Sequence, residues 1–141
     1  MLPLADVVTP NLFEAAQLAD IKPIETLEDA KKAAIKIHQL GAKIVVIKAV
    51  PYDDELIAEL IFNGEAFGAF THHKLDLVNH YTHGAGCTFS ASITAQIARG
   101  RDPLAAIADS SAYVYNAIAQ SEELNQYTGA LVADRQTIEN E

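Results

Sequence analysis

Residues 43–48 constrain the fold most, because an uninterrupted apolar run, Ile44-Val45-Val46-Ile47, lies there between two lysines. A strand with one solvated face alternates apolar and polar residues, whereas a continuous run is typical of a strand covered on both faces. The helix predicted just before it, over 27–40, ends at Gly41 and carries an apolar stripe of Ala30, Ala33, Ala34, Ile37 and Leu40. Together these elements indicate an α/β fold with helices layered on a sheet.

Capping and turn residues locate the other elements. A short strand is predicted over 5–9, and Asn11 is expected to cap a helix over 12–19. A β-hairpin is predicted over 55–71, with Asn63-Gly64 as a two-residue turn. The remaining predictions are a Thr26 cap for the helix over 27–40, a helix over 89–98, and Asp102-Pro103 opening a helix over 104–120.

Length and composition exclude several classes of protein. At 141 residues the chain is expected to form a single domain over 1–141, with the polar residues 121–141 as a loosely attached tail. The net charge of −9, with scattered basic residues, argues against nucleic-acid binding. No apolar run approaches the ~20 residues that span a membrane. A single cysteine predicts a cytoplasmic protein without disulfides.

The segment 82–90 carries the clearest functional signal. Gly84 and Gly86 bracket one small residue, and the helix predicted over 89–98 follows. Glycines let the backbone turn tightly, and a helix N-terminus offers unpaired N–H groups that suit phosphate. Cys87, at the start of the helix, is a candidate base for a hydroxyl proton. The alternatives are a plain structural turn and, for the cysteine, a small buried hydrophobic residue.

Other candidate site residues lie outside that segment or flank its glycines. Asn11 and Glu14 are one helical turn apart, so both can face one point; a single carboxylate suits Mg²⁺ that also binds phosphates. The alternative is a helix cap followed by a first-turn acid. Lys48 ends the central strand, where ligands gather in α/β sheets. Thr82 and Thr88 are expected to contact a ligand or to cap the helix.

Zinc binding is not predicted. Histidine is a common zinc ligand, and four histidines lie close together in the sequence: His72, His73, His80 and His83. They lack the spacing of zinc ligands, however, and the chain has no second cysteine.

The motif Thr-His-Gly-Ala-Gly-Cys-Thr-Phe-Ser at 82–90 resembles the anion-hole signature of the ribokinase-like vitamin kinases. These enzymes phosphorylate hydroxymethylpyrimidine and its monophosphate in thiamin biosynthesis, or pyridoxine and pyridoxal. Most of the superfamily has aspartate where this chain has Cys87, and cysteine there is similar to the hydroxymethylpyrimidine kinases and related bacterial pyridoxine kinases. Residues 7–14 resemble the family's strand followed by Asn-x-x-Glu, and the segments 40–48 and 124–127 also fit.

The resemblance implies a ribokinase-like α/β/α layered sheet, of which this chain is the C-terminal half. It implies ATP-dependent, Mg²⁺-dependent phosphoryl transfer to the hydroxymethyl group, or its phosphate, of a small vitamin-precursor ring. The site residues follow by motif position: Gly84, Ala85, Gly86 and Cys87 at the transferred phosphoryl group, Asn11, Lys48, Thr82 and Thr88 around the nucleotide, and Glu14 at the metal.

Three departures from the family pattern leave an alternative open. Family members are about twice this long. Lys48 is followed by Ala49 and Val50 in place of two glycines, and Val78-Asn79 stands where the family often has Asp-Thr. The alternative is a truncated, non-catalytic half that folds, oligomerises and binds phosphate or nucleotide. In either case a half sheet leaves an edge strand exposed, which predicts a homo-oligomer or pairing with an N-terminal half.

Overall fold

A computed structural model describes residues 2–75, 82–125 and 128–132. The chain divides into two compact units, residues 1–74 and residues 75–141. The first unit contains a short 3₁₀ helix (Leu2–Leu4), strands β1 (Val7–Val8), β2 (Ile44–Pro51), β3 (Leu56–Phe62) and β4 (Phe67–His73), and helices α1 (Leu12–Ala19) and α2 (Leu27–Gln39). The second contains α3 (Ala85–Ala98), α4 (Pro103–Ala119), β5 (Glu122–Asn125) and β6 (Thr128–Ala130). The α/β class is confirmed.

The sheet of the first unit has the strand order β1-β2-β3-β4. β1 runs parallel to β2, with Val7 opposite Ile44, and β2, β3 and β4 form an antiparallel meander. The strand predicted over 5–9 is shorter than expected, because only Val7 and Val8 pair with β2. The predicted hairpin is confirmed, with its second strand ending two residues later than expected.

Small residues let α2 approach the sheet closely. Four members of the predicted stripe are fully buried: Ala30, Ala33, Ala34 and Ile37. They belong to one core with Val45, Ile47, Leu60 and Phe62 of β2 and β3. Leu40 was expected in the stripe, but it is 49% exposed because the helix ends at Gln39 and Leu40 occupies the cap.

The hairpin turn differs from the prediction. Phe62 pairs with Phe67, so the connection is four residues long and not the two-residue Asn-Gly turn. The Asn63 side-chain carbonyl accepts the N–H groups of Glu65 and Ala66 at 3.0 and 2.9 Å. Because this side chain acts as an additional acceptor for the loop, it stabilises a wider connection. Gly64 still adopts the left-handed conformation, with φ +93°.

All three predicted N-caps are confirmed. The side chain of Asn11 accepts the N–H of Glu14, and the Thr26 hydroxyl accepts the N–H of Asp29. Asp102 accepts the N–H groups of Leu104 and Ala105.

In the second unit, a polar cluster joins α3 and α4. The hydroxyl of Ser110, which is fully buried, donates to the Ser92 hydroxyl at 2.8 Å. The Gln96 amide donates to Ser110 at 3.0 Å. Because each buried hydroxyl has a partner, the contact between the helices carries little desolvation penalty.

Part of the segment predicted as a loose tail has regular structure. β5 and β6 pair antiparallel, and the Val132 N–H donates to the Ala117 carbonyl at 3.3 Å. The rest of the predicted tail, 133–141, lies outside the described residues. The single-domain organisation stays a prediction. Within the part of the chain that the structure describes, no helix has the length and apolar character needed to cross a membrane.

Candidate phosphate and nucleotide site

The glycine motif forms a left-handed cap at the start of α3. Gly84 is the N-cap residue, with φ +86°, and its carbonyl accepts the N–H of Thr88 at 2.9 Å. A β-carbon built at Gly84 would have no neighbour within 4 Å, so lack of space for a side chain is not the reason that glycine occupies this position. The backbone conformation does, since residues with a β-carbon rarely adopt this φ.

The first turn of α3 presents main-chain donors. The N–H of Ala85 already donates to the Thr82 carbonyl at 3.0 Å, which closes the turn. The N–H groups of Gly86 and Cys87 precede the first bond of the helix, so the helix supplies them with no acceptor. Gly84, and not Thr82, is the N-cap residue. Among the described residues, the N–H groups of Gly86 and Cys87 thus have no helical acceptor and can donate to an anion at this position.

Cys87 is exposed. The alternative that it is a small buried hydrophobic residue is therefore wrong for this structure. The helix instead buries its other side, where Phe89 and Ile93, one turn apart, are each 3% exposed. Thr88 is half-buried, and the Ser90 hydroxyl donates back to the Gly86 carbonyl at 3.0 Å. The thiol and the two donors thus lie on the same first turn of an anchored helix.

Asn11 and Glu14 form a reciprocal capping box at the start of α1. The Asn11 side-chain oxygen accepts the Glu14 N–H, and Oε2 of Glu14 accepts the Asn11 N–H, both at 2.8 Å. The capping alternative is therefore present in the structure. The capping box uses Oε2 of the exposed Glu14 and leaves the other carboxylate oxygen, Oε1, outside the box. Mg²⁺ can bind a single carboxylate oxygen of the protein when phosphates and water supply its other ligands.

Lys48 lies in a β-bulge that the sequence did not predict. The register of β2 on β3 shifts between Ile47 and Val50, and Ala49 has φ +56°. The N–H of Lys48 donates to the Pro10 carbonyl at 3.0 Å. This bond places the backbone of Lys48 beside the residue that precedes Asn11. One feature of the sequence could have indicated the left-handed backbone at this bulge: Ala49 stands where the resembled family has glycine.

The described histidines do not form a metal centre. Among the described residues, no group of three or more His, Cys, Asp or Glu side chains is placed to hold a metal ion. His72 contacts the Glu59 carboxylate at 3.2 Å, with both side chains mostly buried. His83 is exposed beside the glycine cap. His80 and the Val78-Asn79 pair lie outside the described residues.

The family model for phosphomethylpyrimidine kinase matches residues 1–132. The chain belongs to the phosphomethylpyrimidine kinase family. The match covers both the Asn11–Glu14 box and the glycine cap of α3.

Two curated relatives show how much of a phosphomethylpyrimidine kinase family protein is present. The pyridoxine kinase of Bacillus subtilis is 42% identical over 130 residues, which are 92% of this chain and 47% of the relative. The hydroxymethylpyrimidine/phosphomethylpyrimidine kinase of Staphylococcus aureus is 36% identical over 131 residues, again 92% of this chain and 46% of the relative. The chain therefore spans about half the length of the curated relatives that it matches.

A solved structure confirms the fold. The pyridoxal kinase of Staphylococcus aureus in complex with AMP-PCP and pyridoxal has a TM-score of 0.86 and 39% identity. The match covers 93% of this chain and 48% of that one. This chain thus has the ribokinase-like α/β fold seen in about half of that enzyme.

The structure brings some predicted site residues together and describes others separately. Asn11, Glu14 and Lys48 lie in the first unit, where the Lys48–Pro10 bond joins their segments. Thr82, Thr88 and the four residues of the glycine cap lie in the second unit. Each cluster is a candidate site in its own right, and the roles assigned to its residues stay predictions.

Proposed function

We propose that this chain supplies the phosphoryl-transfer half of an ATP-dependent vitamin-precursor kinase. The observation that carries the proposal is the first turn of α3. There, the left-handed Gly84 cap leaves the N–H groups of Gly86 and Cys87 without helical acceptors beside an exposed thiol. Phosphoryl transfer depends mainly on positioning and on neutralising charge at the transferred group.

In the proposed reaction, the hydroxymethyl oxygen of the substrate attacks the γ-phosphorus of ATP. Sγ of Cys87, as thiolate, accepts the hydroxyl proton while the bond from phosphorus to the ADP oxygen breaks. The N–H groups of Gly86 and Cys87 donate to the equatorial oxygens of the transferred group. Loss of one such donor typically raises the barrier by ~3–4 kcal/mol.

The first unit contributes the proposed metal ligand and two of the four residues assigned to the nucleotide. Glu14 would bind Mg²⁺ through Oε1, because Oε2 is occupied by the Asn11 N–H. The metal, when bound, neutralises charge on the nucleotide phosphates. Asn11, Lys48, Thr82 and Thr88 are assigned to the nucleotide.

The proposed substrate is a vitamin-precursor ring that carries a hydroxymethyl group. The pyridoxine kinase relative has the higher identity, 42% against 36%, and this supports pyridoxine or pyridoxal ahead of hydroxymethylpyrimidine. Because a hydroxymethylpyrimidine/phosphomethylpyrimidine kinase is also a relative, the pyrimidine of thiamin biosynthesis is the second substrate to test.

Because the chain spans about half of its relatives, the proposed activity includes assembly. The proposed assembly is a homo-oligomer or pairing with an N-terminal half.

A specific observation favours the second candidate, a non-catalytic half that binds phosphate or nucleotide. Ala49 occupies a left-handed position, φ +56°, at the Lys48 bulge where the resembled family has glycine. This strained residue lies in the segment predicted to border the nucleotide, which supports the non-catalytic alternative.

The test is a phosphorylation assay with ATP and Mg²⁺ on pyridoxal, pyridoxine and hydroxymethylpyrimidine, with and without the complementary half of a relative. We expect Cys87→Ala to lower turnover by about 10²–10⁴-fold, the usual contribution of a positioned base. Thr94→Ala is the matched control, because Thr94 is an exposed residue on the same helix and its hydroxyl donates to the Ser90 carbonyl at 2.8 Å. Nucleotide binding without turnover would support the non-catalytic alternative, and neither binding nor turnover would refute both proposals.

A further inference from the structure

Hydrogen bonds between polar side chains join α3 to α4 in the second unit. We call this group the serine–glutamine cluster and define it by Ser92 and Gln96 of α3 and Ser110 of α4. The hydroxyl of the fully buried Ser110 donates to Ser92 at 2.8 Å and accepts from the Gln96 amide at 3.0 Å. The same amide donates to the Ala106 carbonyl at 3.4 Å. Two positions one turn apart on α3 are thereby tied to two positions one turn apart on α4.

Apolar packing by itself specifies the position of α3 only weakly. Eight of its fourteen residues are alanine, serine or threonine, and only Phe89 and Ile93 are buried. Cores that lack detailed shape complementarity lose uniqueness of packing before they lose stability. A hydrogen bond is strict about distance and angle, so Ser110 can bond both of its partners in only one register of the two helices. Buried polar side chains fix the register of coiled-coil helices in the same way.

The register of α3 decides where the donors at its N-terminus point. Ser92 lies five residues after Cys87, which is about 7.5 Å along a helix that rises about 1.5 Å per residue. A slip of one residue would carry the N–H groups of Gly86 and Cys87 about 100° around the helix axis. Donors stabilise an oxyanion from about 2.7–3.1 Å, and a misplacement of about 1 Å can cost about 10²-fold in rate. A single register of α3 is therefore a condition for a working anion site.

We propose that Ser110 and Gln96 are positioning residues for the anion site at the glycine cap. Their hydrogen bonds hold α3 in one register on α4, and this register directs the N–H groups of Gly86 and Cys87 at the third phosphate of the nucleotide. The inference rests on the proposed function for the identity of that anion. It gives a role in nucleotide binding to Ser110, a residue of the neighbouring helix that is fully buried and contacts no ligand itself.

The alternative role for the cluster is stability alone, as for any paired hydroxyl in a protein interior. The two roles differ in what Ser110→Ala does to nucleotide binding. A loss of stability lowers the folded fraction and leaves the ratio of affinities for two nucleotides unchanged. A loss of register weakens only the nucleotide whose third phosphate reaches the cap.

The experiment measures binding of ADP and of AMP-PCP, an ATP analogue with a third phosphate, to the full 141-residue chain by calorimetry with Mg²⁺. We expect Ser110→Ala to weaken AMP-PCP binding by about tenfold, the scale of one hydrogen bond to a charged group, and ADP binding by less than about twofold. Gln96→Met keeps the length of the side chain and loses the amide, so it should have the same effect. Alanine and methionine both favour helices, so these variants should fold.

Ile107→Val is the matched control. Ile107 is fully buried on α4, one turn from Ser110, and the substitution leaves the hydrogen-bonding groups of the cluster in place. Its expected loss of stability is similar to that of a buried hydrogen bond, yet both affinities should stay within about twofold.

Nuclear magnetic resonance provides a signature that lost stability would not change. The amide protons of Gly86 and Cys87 should move downfield when AMP-PCP binds, because hydrogen bonds to an anion are short and strong. The movement should be smaller in Ser110→Ala and unchanged in Ile107→Val.

Three outcomes would overturn the inference: equal losses of AMP-PCP and ADP affinity in Ser110→Ala, a selective loss as large in Ile107→Val, or a wild-type chain that does not bind AMP-PCP. A wild-type chain that binds AMP-PCP without turnover would instead contradict the proposed catalysis. The role of Ser110 and Gln96 would then still be decided by the ratio of the two affinities.

Discussion

Ala49 provides a direct test of the backbone geometry at the Lys48 bulge. It is an exposed residue with φ +56° in the interval where β2 shifts register. The left-handed conformation costs a residue with a β-carbon roughly 1–2 kcal/mol. Glycine adopts it freely, so Ala49→Gly should release this strain.

The expected gain is smaller than the strain itself. Glycine gains conformational freedom in the unfolded chain, which costs about 0.5–1 kcal/mol on folding. Ala49 is exposed, so the substitution removes little packing. We therefore expect Ala49→Gly to raise the free energy of unfolding by about 0–1.5 kcal/mol, the strain term less the entropy term.

A matched control isolates the strain. Ala69 is also exposed and lies in β4, and it does not have a positive φ. Ala69→Gly should therefore lower the free energy of unfolding by about 0.5–1 kcal/mol, because it pays the entropy cost and releases no strain. Urea denaturation followed by circular dichroism gives both values at constant m. If Ala49→Gly were destabilising by as much as Ala69→Gly, residue 49 would not have a left-handed backbone.

Two further predictions concern the glycine cap and α2. Gly84→Ala and Gly100→Ala meet the same open space and similar φ, +86° and +85°, so each should cost about 1 kcal/mol in urea denaturation. Only Gly84→Ala should weaken binding of AMP-PCP, an ATP analogue that carries the third phosphate, in calorimetry, and equal binding losses would contradict a role for the cap. The hydrogen bond from the Thr26 hydroxyl, at 2.7 Å, lowers the pKa of Asp29. The stability this contributes is present above the ordinary pKa of Asp29 and is lost as pH falls through the lowered value. Thr26→Val should raise the pKa of Asp29 in an NMR titration and destabilise the chain more at neutral than at acid pH, whereas Thr26→Ser should not; a pH-independent loss would contradict the assignment.

Local chemistry made much of the candidate site predictable. The capping box needs only Asn11 and Glu14 three residues apart, and both bonds are present at 2.8 Å. The glycine turn before a helix was also predicted, but the helix was expected to begin at Phe89 and begins at Ala85, so Gly86 and Cys87 lie inside its first turn. These features depend on contacts within a few residues, and short-range backbone preferences decide them.

Features that depend on pairing between distant segments were not predictable in the same way. The bulge at Lys48 and Ala49 exists because β2 shifts register on β3, and the length of the turn after Asn63 is set by the pairing of Phe62 with Phe67. The exposure of Cys87 depends on which side of α3 is buried, and packing places Phe89 and Ile93 there.

The sequence by itself determined the family, the α/β class, the helix caps and the glycine turn, because each is encoded by residue types at short spacing. Only the tertiary structure decided the strained Ala49, the exposure of Cys87 and the exposure of Phe13. Strand register and burial are properties of the whole packed chain, in which the cost at one residue is offset by contacts that distant residues make.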